Sequence, residues 1–99
     1  MTETLQPEEM KVIVFELLNI EYAIDVGVVQ SIERVISITR VPGTPSYVKG
    51  VINLSGTVTP IVDLRERLGL EPVEMDKETR IIIVTLEDYD VGLIVDAAN

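Results

Sequence analysis

The apolar and polar positions of residues 49–70 (KGVINLSGTVTPIVDLRERLGL) spell a strand, a tight turn, a second strand and a short capped helix. Val51, Ile52 and Leu54 precede the turn, and Thr57, Val58, Thr59, Ile61 and Val62 follow it, residues that suit a half-buried pleated surface. Gly56 supplies a positive φ for a two-residue hairpin loop, and Asn53 and Ser55 favour the same bend. Pro60 cannot donate to a ladder, so this strand is expected to bulge there or to run along an edge. Asp63 stands where an N-cap carboxylate accepts backbone N–H groups. Leu64 and Leu68 share a helical face, and Gly69 is the expected left-handed stop, with Leu70 folding back.

The same reading extends along the chain. Residues 1–10 are polar and acidic and read as a flexible tail ahead of one domain over residues 11–99. Residues 11–17 carry Val12, Ile13, Val14 and Phe15 in succession, which predicts a strand buried on both faces. A turn at Leu18–Ile20 leads into a strand over residues 21–24. Asp25 is placed to cap a short helix whose Val28, Val29 and Ile32 share a face, with Val26 and Val29 offering an apolar stripe three residues apart. Alternation predicts a strand over residues 35–41, ended by Pro42, Gly43 and Pro45. Residues 71–78 read as a polar loop, and residues 80–86 and 89–95 as a hairpin about Glu87-Asp88. Seven strands, two short helices and no βαβ alternation predict an all-β domain, a small barrel or sandwich.

Composition narrows the chemistry. The 99 residues hold 46% apolar and 4% aromatic side chains, which fits one small core of branched aliphatics. There is no cysteine, hence no disulfide or thiolate chemistry, and no apolar run long enough to span a bilayer. The expectation is a cytoplasmic protein without direct membrane insertion. A net charge of −9 disfavours nucleic acid and anionic surfaces and suits a basic or apolar docking partner. With no histidine, no cysteine and no phosphate-cradling glycine motif, catalysis and cofactors are not expected. The carboxylate pairs Asp88/Asp90 and Glu71/Glu74 are the nearest candidates for a small hydrolase, and residues 71–78 for a Ca²⁺ site without EF-hand spacing.

Three ordered blocks resemble the CheW family of chemotaxis coupling proteins: VIVFELLNIEYAIDVGVVQSI, GVINLSGTVTPIVDLRERLGL and IIIVTLEDYDVGLIVD. The resemblance implies paired SH3-like barrels, the second incomplete here because family members continue past the position of Asn99. It implies a non-catalytic adaptor that joins a chemoreceptor tip to the regulatory domain of the histidine kinase CheA. A domain preceding a receiver in a larger adaptor is the other form it allows. The implied receptor groove falls on Ile13, Val26, Val29 and Ala98, and the implied partner-contact hairpin on Asn53, Leu54, Ser55 and Gly56. Two positions depart from the family pattern: Ser55 replaces an arginine, and Ser31 an acidic residue thought to anchor it. Because the strands neighbouring the C-terminal hairpin (residues 80–95) are missing by this comparison, either self-association through that hairpin or mobility of the hairpin is expected.

Overall fold

The computed structural model describes residues 11–98, so the expected tail over residues 1–10 lies outside them. Val12–Leu17 (β1) and Ile20–Asp25 (β2) form an antiparallel hairpin from Val12↔Asp25 to Leu17↔Ile20. Asp25 then caps as expected, its Oδ1 accepting the Gly27 N–H at 2.7 Å, but the element it caps is a single 3₁₀ turn, Val26–Val28. The helix expected beyond it is instead a strand, Val29–Arg34 (β3), paired along Arg80–Leu86 (β6) with a bulge between Val29 and Ser31. β-Branched Val28, Val29 and Ile32 with Gly27 lose little in strand form, and the distant β6 ladder supplies the hydrogen bonds.

The central hairpin forms where the pattern places it. Val48–Leu54 (β4) and Thr57–Asp63 (β5) meet across Ser55 and Gly56, with φ of 52° and 86°, and Asn53 Oδ1 accepts the Gly56 N–H at 2.9 Å. Two positive φ values match the twist of the flanking strands. Pro60 faces Val51, whose own N–H and C=O bond Thr39 on the far side at 2.8 and 2.9 Å, so nothing is required of the missing proline N–H. The bulge lies opposite, between Val48 and Gly50. Asp63 caps Leu64–Arg67 (α1) through the Arg65 N–H at 3.0 Å, and Gly69 ends the turn at φ 81°. Leu64 packs inward, whereas Leu68, the C-cap beyond the four-residue helix, is 56% exposed.

Arg80–Leu86 (β6) and Tyr89–Val95 (β7) form the second expected hairpin, and Ala97–Ala98 (β8) returns to β1. The strands divide into a five-stranded sheet, β3-β6-β7-β5-β4, and a three-stranded sheet, β2-β1-β8. In the larger sheet β5 and β7 run parallel, and the Thr39–Val51 bridge links the segment leaving β3 to the β4 edge, closing a barrel. The strand expected over residues 35–41 reduces to that bridge.

The C-terminal hairpin is not short of neighbours. β6 lies between β3 and β7, and β7 between β6 and β5, so the free edge expected there does not exist. Ile82 and Val84 join Phe15, Leu17 and Val95 in one core, while Ile81 and Ile83 join Ile52, Ile61 and Ile94 in the barrel interior. The strand buried on both faces is therefore β6; β1 buries only the face of Phe15 and Leu17.

Candidate functional site

The first core is the seam where the three-stranded sheet lies on the barrel; of the four expected groove positions, Val29 and Ala98 pack on it and Ile13 and Val26 lie beside it. Ile13 lies two residues before Phe15 on the same face of β1, and Ile24 opposite it packs on that core. Ala98 pairs with Phe15 across the β1–β8 ladder and packs on the same cluster. Val29, at the start of β3, packs on it from the barrel side and is half-buried. Val26 opens the 3₁₀ turn between the sheets, donates its N–H to Lys11 O at 2.9 Å, and is 40% exposed. Val26 and Val29 thus do not form a helical stripe; they flank a sheet-to-sheet crossing. The seam is partly open, because Ile20 and Tyr22, facing the same way along β2, are 52% and 39% exposed. The Tyr22 ring stacks on Phe15 with centroids 5.6 Å apart.

An ion pair closes the other end of the seam. Arg65 of α1 is buried, and its Nε and Nη2 donate to the two carboxylate oxygens of Asp96 at 2.8 and 2.6 Å. Its Nη1 donates to Glu71 O at 3.0 Å. Asp96, between β7 and β8, also accepts the Leu18 N–H at 2.9 Å and donates its own N–H to Glu16 O at 3.0 Å. The hydrogen bonds from Arg65 hold the Asp96 carboxyl below the usual carboxylate range against the effect of burial, and raise the guanidinium in turn. Asp63 moves the other way: burial raises it, only partly offset by the backbone N–H groups that it accepts. Sequence reading missed the pair. Its partners lie 31 residues apart, and the only local sign is an aspartate placed directly after an apolar strand, Leu93–Ile94–Val95.

The hairpin tip is a separate surface. Ser55 and Gly56 are exposed, and Val58 beside them is 64% exposed. Ser31 sits on β3, paired with Ile83, at the opposite edge of the larger sheet order from β4. Among the described residues no hydrogen bond joins Ser31 to Ser55. The carboxylates considered for acid–base work are otherwise engaged or dispersed. Asp90 accepts from Gln30 at 3.2 Å and from Thr85 at 2.9 Å. Glu74, Asp76 and Glu78 line an open crevice of about 430 Å³ beside Asp96. Among the described residues no group of three or more His, Cys, Asp or Glu is arranged to hold a metal ion, and no helix is long and apolar enough to cross a membrane.

A closed β-barrel carrying a second, smaller sheet, with an apolar seam between them, defines a β-rich domain of the SH3-like kind. The CheW-like domain family model matches residues 11–99, and the chain belongs to that family. It is 55% identical over 89 residues to the chemotaxis protein CheW of Bacillus subtilis, covering 90% of this chain and 57% of that one. It is 38% identical over 87 residues to the Klebsiella aerogenes CheW, covering 88% and 52%. The crystal structure of the scaffolding protein TtCheW from Thermoanaerobacter tengcongensis superposes with a TM-score of 0.87 at 39% identity, over 91% of this chain and 62% of that one. The chain therefore spans somewhat over half the length of the relatives it matches.

Proposed function

We propose that this chain is the docking portion of a cytoplasmic, non-catalytic chemotaxis adaptor. It takes a helix of a chemoreceptor's cytoplasmic tip along the seam and the CheA regulatory domain elsewhere, the β4–β5 tip being the candidate contact. The observation that carries this reading is the convergence of Val29 and Ala98 on one core, joined there by Ile24, the cross-strand partner of Ile13, with Val26 exposed beside them. A partly open apolar seam between two rigid sheets suits the apolar face of an amphipathic helix. The small Ala98 leaves the β8 wall shallow, which favours a bulky side chain on the partner.

Val26→Asp tests the reading cleanly. Val26 is exposed enough to carry a charge without unfolding the domain, whereas Val29 is packed on the core and its replacement by aspartate would cost stability as well. Co-sedimentation with receptor-bearing membranes should fall about ten-fold or more for Val26→Asp, while the thermal midpoint stays within a few degrees. Undiminished binding would remove Val26 from the site.

A further inference from the structure

We propose that Arg65 and Asp96 are positioning residues: a latch that sets the three-stranded sheet on the barrel and so fixes the width of the docking seam. The inference rests on the seam being the receptor site. The two sides of the seam are joined by few strand hydrogen bonds, since the sheets share no ladder. Covalently, the 3₁₀ turn links them at one end and Asp96 at the other.

Among the described residues, Asp96 gathers the polar connections at that second end. It receives two parallel N–H bonds from Arg65, whose helix is fixed to β5 by the Asp63 cap. It also receives the Leu18 N–H from the β1–β2 turn, while its backbone N–H reaches Glu16 on β1. A fork-to-carboxylate pair fixes direction as well as distance, which a single charge contact does not. The residues so held are the groove residues' own neighbours: Ala98 is two positions from Asp96, and Phe15, opposite Ala98, is next to Glu16. Rotation of Asp96 away from Arg65 would release β8 and the β1–β2 turn together, leaving β3, β6 and the barrel core as they are.

The latch is distinguished from a merely stabilising ion pair by where its loss is felt. Asp96→Asn keeps the shape and the Leu18 acceptor but loses the charge. Because it leaves Arg65 buried without its counter-charge, the paired variant Arg65→Met/Asp96→Leu is made alongside it. In both variants amide exchange is expected to accelerate roughly ten-fold or more at Leu18, Ile20, Ala97 and Ala98, while Ile81–Ile94 keeps its protection. Affinity for a purified receptor-tip helical hairpin should fall about ten-fold, because the seam must be ordered at the moment of binding. Unchanged exchange at those four residues would overturn the latch, as would an equal rise across β6 and β7. Local loosening with undiminished affinity would equally overturn its positioning role. Failure of the unmodified protein to bind the tip would instead sink the receptor reading, and the exchange pattern would still decide whether the latch exists.

Discussion

Gly50 shows how narrowly single positions are set. Its φ is 141°, and a Cβ there would lie 2.1 Å from the Thr39 carbonyl oxygen, a backbone atom held by the two hydrogen bonds to Val51. The strain and the overlap act together, so Gly50→Ala should cost at least about 2–3 kcal/mol, measured as a lowered denaturation midpoint at unchanged m-value. Acid titration separates buried Asp63 from half-buried Asp96. Asp96 has a lowered folded pKa, so its contribution is present above the ordinary aspartate value and fades as pH falls through the lowered one. Asp63 has a raised folded pKa, so its contribution is full below the ordinary value and is lost as pH rises through the raised one. On acidification from neutrality the Asp63 gain therefore comes first and the Asp96 loss later. Denaturant midpoints taken from pH 7 to 2 should show Asp96→Asn flattening the lower part of the profile only.

Elements were legible in the sequence in proportion to how locally they are specified. Both hairpins and the Asp63 cap stand where turn chemistry and alternation place them, because Asn53, Gly56 and Gly69 act within a few residues of themselves. The run Val26–Ile32 was misread as helix because an aspartate cap before spaced valines looks the same whether a helix or a 3₁₀ turn and strand follows. What decides is the β6 ladder some 50 residues on. β8, two alanines, carries no periodic signal and exists only through Phe15 and Glu16. The groove positions rest on family likeness alone; the Arg65–Asp96 fork was not legible, for want of any signal at its spacing. One element can be improved on its own terms. Ser55 occupies the left-handed region that asparagine tolerates better, so Ser55→Asn should stabilise the hairpin by roughly 0.5–1 kcal/mol, read from thermal melts.

Across the whole molecule, order follows the shared strand. β6 feeds both cores with alternate side chains, so it should be the best-protected segment, with β7 beside it. β2, two of whose three inner-facing side chains are exposed, should exchange fastest among the strands. Amide exchange over residues 80–95 as fast as over residues 20–25 would contradict this arrangement. The topology also carries a consequence in time. β5 and β7 run parallel, so no tight turn can join them; α1, the residue 71–78 loop and β6 must be threaded between before either is satisfied. β3 waits for a partner some 50 residues downstream, and β1 for one more than 80 residues away. Each such closure spends chain entropy before any contact repays it, and only the hairpins are spared. Stopped-flow refolding should therefore take on the order of milliseconds to seconds, far slower than helical proteins of this length. For that interval the chain is a string of finished hairpins whose apolar faces have not yet met, and it is then, rather than once folded, that its surplus of negative charge does most to keep neighbouring molecules apart.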